Sequence, residues 1–130
     1  MSDSKPQVKA MLICDSVITE KGTEKNSLIG IFENINAKSF PCTHFSLAVY
    51  INFTDALGKY KFRLELADVE NNMIIGHGET LEIEYKDKLA SNNLAFVLNM
   101  LKFNRSGKYE FRFFSNGEIC EIKPFNVKQI

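Results

Sequence analysis

Three places in this chain carry residue types able to do chemistry. Cys14-Asp15 closes an apolar run, Cys42 and His44 stand two residues apart, and His77 sits between two glycines. A nucleophilic cysteine needs a stabilised thiolate and a base within reach, usually histidine. His44 and His77 are the two histidines, so such a pair with Cys14 depends on where the fold puts them. A zinc site needs three or four converging ligands. In a strand Cys42 and His44 share a face and would supply two, with His77 or Cys14 as a third. The glycines beside His77 would let a backbone or ligand approach closely. Each place also has a plainer reading, which we favour. Cys14 serves as a small buried hydrophobe at a strand end, with Asp15 bonding backbone amides at the following turn. His77 is then an exposed residue at a β-bulge.

Other chemistries have weaker footing. Asp55, Asp68, Glu70, Asn71, Asn72 and Asp87 could offer oxygen ligands to calcium, but no D-x-D-x-D-G run is present and ordinary turn chemistry explains them. There is no Gly-rich phosphate loop, no H-E-x-x-H and no G-x-S-x-G. A carbohydrate platform wants exposed aromatics, and the chain has no Trp. The sequence therefore predicts a protein that is not an enzyme and binds no cofactor.

The bulk numbers narrow the class further. A chain of 130 residues with 45% hydrophobic and 25% charged residues fits one domain with a real core, built largely on 11 Phe. Basic and acidic residues number 16 each; cut at residue 65, the halves hold 8 and 7, then 8 and 9. A nucleic-acid binder needs a basic excess or stripe to neutralise phosphates, so that class is set aside. The start shows no signal-peptide pattern, and no run approaches the length that spans a membrane. Three cysteines without a CxxC then predict reduced thiols in the cytoplasm.

The elements that must position these residues read as strands. Residues 1–7 are expected to form a flexible arm and 8–130 the single domain. "SLAVYINF" (46–53), "KFRLELA" (61–67), "TLEIEY" (80–85) and "YEFRFF" (109–114) alternate with period two, with Leu81, Ile83 and Tyr85 inward in the third. In "NNLAFVLNMLKF" (92–103), Leu94, Phe96, Leu98 and Met100 fit one strand face, although a helix is also compatible; strand is preferred. Turn signals recur at Gly22, Pro41, Gly58, Asn71-Asn72, Gly107 and Asn116-Gly117. Their spacing predicts eight or nine strands in an antiparallel two-layer β-sandwich, immunoglobulin-like or C2-like. Tyr109, two residues after Gly107, has the position from which a tyrosine bonds back across a Greek-key corner.

Two hairpin registers follow. Asn116-Gly117 is the favoured two-residue turn, because both positions must reach positive φ. Pairing Ser115 with Glu118 sets Phe113 against Cys120 and Phe111 against Ile122, with Arg112 facing Glu121 and Glu110 facing Lys123. Around Asn71-Asn72 the same exercise pairs Phe62 with Leu81, Tyr60 with Ile83, Lys61 with Glu82 and Lys59 with Glu84; a bulge at residues 76–78 would shift these by one.

With "CDSVI", "SLIGIF", "LAVYINFTDALGKYKFRLEL" and "SGKYEFRFFSNG" in view, the chain resembles a bacterial family of short single-domain proteins of unknown function. Its members share a Cys-Asp segment, a Leu-Ile-Gly-Ile-Phe strand and a Gly-x-Tyr closing hairpin. The resemblance implies a bacterial source and a stand-alone domain, and no activity. The favoured function is a non-catalytic protein-interaction or structural module with a protein partner, and with an edge strand available for homodimer formation. The surface expected for it is the charged turn bearing Glu20, Lys21, Thr23, Glu24 and Lys25, together with Pro41. The alternative is a metal- or small-ligand-binding sandwich using Cys42 and His44.

Overall fold

The computed structural model describes residues 4–130. Among them the chain forms strands and no helix. They run β1 (Gln7–Thr19), β2 (Asn26–Ile31), β3 (Asn34–Ala37), β4 (Cys42–Thr54), β5 (Gly58–Tyr60), β6 (Phe62–Asp68), β7 (Met73–Glu79), β8 (Ile83–Tyr85), β9 (Asn92–Phe103), β10 (Gly107–Ser115) and β11 (Glu118–Gln129). These eleven exceed the eight or nine expected because β3, β5 and β8 are three or four residues long, too short for alternation to reveal.

One sheet has the order β2-β1-β4-β9, a second β3-β11-β10-β6-β7, and a ribbon pairs β5 with β8. All pairings are antiparallel except β3 on β11, which is parallel. The two larger sheets turn their apolar faces to one core. Ile13, Leu47, Val49, Ile51, Phe53 and Phe96 come from the first; Leu64, Leu66, Phe111, Phe113, Phe125 and Val127 come from the second. Phe62 stacks on Phe113 with centroids 5.3 Å apart, and Phe111 stacks on Phe125 at the same separation. Rings so placed add to the apolar area each buries.

The ambiguous stretch 92–103 is strand β9. Phe96 and Leu98 are inward, but Met100 is not: its φ is +54°, it is 61% exposed, and Leu101 and Phe103 take the core side after it. Phe45, at the facing position of β4, is 78% exposed, so both strands change face together and their register survives.

The Asn116-Gly117 turn forms with both residues at positive φ, and Ser115 pairs with Glu118. Beyond Phe114–Ile119 the register slips by one. Phe113 faces Glu121, Arg112 faces Ile122 and Phe111 faces Lys123, because Cys120 is an extra residue bulged from β11. The expected Arg112–Glu121 and Glu110–Lys123 pairs are therefore not made. Arg112 instead bonds Glu110 of its own strand at 2.7 Å, and Lys123 reaches Glu33 at 3.2 Å.

The other hairpin slips twice. Asp68 pairs with Met73, an irregularity at Ile75 shifts the ladder so that Leu66 meets Gly76, and a further residue is gained after Thr80. The two shifts restore the expected Tyr60–Ile83 and Lys59–Glu84 pairs in the ribbon. Phe62 bonds Thr80 instead of Leu81, and Leu81, expected inside, is 88% exposed as the residue squeezed out.

Residues 1–3 of the expected arm lie outside the described residues. From residue 4 on the segment is held: the Tyr60 hydroxyl bonds the Ser4 carbonyl, Ser4 Oγ donates to Asp55 O at 2.6 Å, Pro6 is buried and Gln7 pairs with Thr54. At the opposite corner Tyr109 donates its hydroxyl to the Arg105 carbonyl at 2.7 Å, as its position after Gly107 predicts.

Candidate functional site

Cys14 and Asp15 point to opposite faces of β1, as consecutive strand residues must. Cys14 is fully buried, and its thiol donates to the carbonyls of Ser16 and Ala48 at 3.4 and 3.7 Å. Burial first, and the Asp15 carboxylate second, push its pKa above the ordinary thiol value, the reverse of what a nucleophile needs. Asp15 lies over Gly30 of β2, where an added Cβ would fall 2.2 Å from Oδ2 and where φ is +69°. That close approach is why the segment "SLIGIF" carries a glycine.

Asp15 does share a depression of ≈390 Å³ with His44, where Phe32, Asn34 and Asn36 complete much of the wall. The His44 ring packs 5.8 Å from Phe32, and its Nε2 is buried without a hydrogen-bond partner among the described residues. An adjoining depression of ≈320 Å³ brings Pro41, Cys42 and His44 together, beyond the cis Phe40–Pro41 peptide. Burial raises the Cys42 thiol pKa. Among the described residues no three His, Cys, Asp or Glu side chains gather as a metal would require. The turn bearing Glu20, Lys21, Thr23, Glu24 and Lys25 stands exposed at the tip of the β1–β2 hairpin and lines neither depression.

His77 belongs elsewhere, on the outer face of the five-stranded sheet. Its flanking glycines point inward against β9: a Cβ at Gly76 would meet Leu101 at 3.1 Å, and one at Gly78 would meet Phe96 at 3.3 Å. The two glycines thus let the edges of the two sheets close on each other. The loop carboxylates have protein partners as well. Arg105 bridges Asp68 and Glu70, and Asp68 also accepts from Asn71. Asp87 accepts from the Leu89 amide.

Sequence reasoning missed the outer face of the four-stranded sheet. Ile31, Cys14, Ala48 and Val97 form one row across all four strands. Leu12, Tyr50 and Ala95 form the next, then Ala10, Asn52 and Asn93. On the other side lie Ile29 beside Ser16, Ser46 beside Asn99, and Ile18 beside Ser27. None of these rows holds a charged residue. Ile31 is 55% and Val97 63% exposed, and Ile18, Ile29, Phe45 and Met100 are exposed with them. Polar groups on this face are neutral: Tyr50 donates to Asn93 Oδ1 at 2.6 Å, and Asn52 donates to the same atom at 2.8 Å. The signal was present in the outward positions of "SLAVYIN" and "NNLAFVLN", which alternate with the core residues and carry no charge.

An all-β domain, with two principal sheets around one core and no gathered catalytic or metal-binding side chains among its described residues, is the class these observations define. The chain belongs to DUF6941, a family of unknown function whose model matches residues 9–128. None of the curated proteins matches it in sequence. Solved structures do resemble it. Pseudomonas fluorescens alkylpurine DNA glycosylase AlkC, bound to DNA containing an abasic site analog, superimposes with a TM-score of 0.57 at 7% identity, over 96% of this chain and 31% of that one. The β-glucosidase of Listeria innocua in complex with isofagomine gives 0.50 at 13% identity, over 96% of this chain and 16% of the enzyme. The chain thus spans about a third or less of these neighbours, and at such identities the likeness shows the fold alone.

Proposed function

We propose that this protein is a non-catalytic interaction module, an immunoglobulin-like two-layer sandwich that docks a partner protein through the outer face of its four-stranded sheet. The observation that carries the reading is the outer face whose rows from Ile18 to Ala10 hold no charge and on which Ile29, Ile31, Val97, Phe45 and Met100 stand exposed, with Lys102 opposite Thr43 at its margin. Charge depletion at the centre of a surface with apolar side chains exposed on it is what a protein interface core needs and what a plain solvated face avoids. The raised Cys14 pKa argues against a nucleophile. Three free cysteines suit a reducing, bacterial cytoplasm. The charged turn at Glu20–Lys25 serves as rim, where charge steers encounter and contributes little affinity.

The test is capture of a partner by the tagged chain, compared between wild type, an Ile31→Lys/Val97→Lys variant and a variant with the turn charges replaced by Ser. A partner retained by wild type and by the turn variant, and lost from the sheet-face variant, supports the reading. A partner lost only with the turn refutes the assignment of the face.

A second reading, a small-ligand or metal site using Cys42 and His44, has one observation in its favour: the buried, unpartnered Nε2 of His44. Metal analysis of the untagged protein tests it. Less than one equivalent of zinc, with no His44 shift on zinc titration, removes the metal form.

A further inference from the structure

We infer that the occupant of the charge-free face is a second copy of this chain, packed sheet on sheet about a two-fold axis. The inference rests on the docking role proposed above for that face. An isologous interface lays a patch on its own rotated copy, so every charge near its centre meets a like charge. The rows from Ile18 to Ala10 carry none, whereas the outer face of the five-stranded sheet has Arg112, Glu65 and His77 in one row and Arg63 and Glu79 in the next. The polar groups of the charge-free face are Asn, Ser and Tyr, each both donor and acceptor, and so each is complementary to its own copy. A face meant for one distinct partner gains specificity from charges opposite that partner's charges, and this face offers none.

Strands spaced about 4.8 Å and rising about 3.3 Å per residue make the face at most roughly 19 by 26 Å, about 500 Å² per copy and about 1,000 Å² in all, the lower bound for a specific interface. The copies would stack with their sheets about 10 Å apart, as the two layers of a sandwich do.

Sedimentation velocity on the full chain over a range of concentrations tests this. The variants are Ile31→Lys, Val97→Lys and their combination, with Ile122→Lys on the charged sheet as control; all these positions are solvent-exposed, and thermal melts establish that each variant folds. The expected result is a wild-type dimer, a dissociation constant raised at least tenfold by each sheet-face lysine, a monomeric double variant, and a control that behaves as wild type. A wild type monomeric at every concentration, a double variant that still dimerises, or a control that dissociates equally overturns the inference. A monomeric wild type that still captures a different protein through Ile31 and Val97 removes the second copy and leaves the docking role standing. A wild type that neither self-associates nor captures removes both.

Discussion

The outer faces of the two large sheets are built from opposite materials. On the five-stranded sheet Arg63 bonds Glu65 at 2.8 Å and also Glu79, and Arg112 bonds Glu110 at 2.7 Å. On the four-stranded sheet the rows from Ile18 to Ala10 are built of Ile, Leu, Val, Ala, Ser, Asn, Tyr and Cys, and Lys102 stands beyond them at the margin. Both sheets present equally apolar inner faces to the same core, so folding does not demand the difference. A face of neighbouring ion pairs stays hydrated and repels close approach, whereas an uncharged face with protruding Ile and Val loses little on leaving water. On the reading proposed above, the ion-paired side stays in water and the uncharged side makes contact.

The contrast can be broken at several strengths. The largest stability effect belongs to the one strongly buried charge of the five-stranded sheet. Asp68 is held by Arg105, so Arg105→Ala leaves a buried carboxylate with Asn71 as its remaining partner and costs about 2–4 kcal/mol, reduced from the fully buried case because Arg105 is itself partly exposed. Chemical denaturation measures it; a cost near that of Arg112→Ala would mean Asp68 is hydrated in solution. Gly78→Val, where β7 meets β9, pushes branched carbons into Phe96 and costs about 1–3 kcal/mol by overpacking. Arg112→Ala removes a pair on the ion-paired face and costs at most about 1 kcal/mol, less in high salt. Ile31→Lys and Val97→Lys change monomer stability by about 0.5 kcal/mol or less, as exposed substitutions do, while each is expected to weaken association at least tenfold.

A pH profile separates the faces in another way. The Cys14 thiol, central on the uncharged face, has its pKa raised in the fold above the 9.0 of a free thiol. Above that pH the unfolded chain releases this proton first and holds fewer protons than the folded one, so stability falls as pH rises. Burial raises Cys42, Tyr85 and Tyr109 in the same direction. Thermal melts should therefore be level between about pH 7 and 8 and decline above about pH 9, and Cys14→Ala should lessen that decline. An unchanged decline in the variant would place the loss in Cys42 and the two tyrosines.

Much of the fold was legible because alternation reports which face a residue takes. Phe62, Leu64 and Leu66 are buried while Arg63 and Glu65 are not, and β9 is a strand despite its helix-compatible pattern. What alternation could not show is where it is interrupted. Cys120, Ile75 and Met100 each break the period inside a strand, and nothing in a run of apolar residues marks which one bulges. The bulge at Cys120 undid the charge pairs of the closing hairpin, and the residue gained after Thr80 turned Leu81 outward. The candidate site was legible in pieces. Asp15 and His44, and Pro41 with Cys42, meet as neighbours, whereas the Glu20–Lys25 turn stands apart from them. The uncharged face has no motif of its own, because its signature is the charge missing from alternate positions on four separated segments.

Amide hydrogen exchange as a function of protein concentration tests the central assignment most directly. The account predicts that raising the concentration slows exchange in β2 and β9, the flanking strands of the charge-free sheet, while β6 and β7 stay unchanged. Slowing confined to the Glu20–Lys25 turn or to the ion-paired sheet would contradict it.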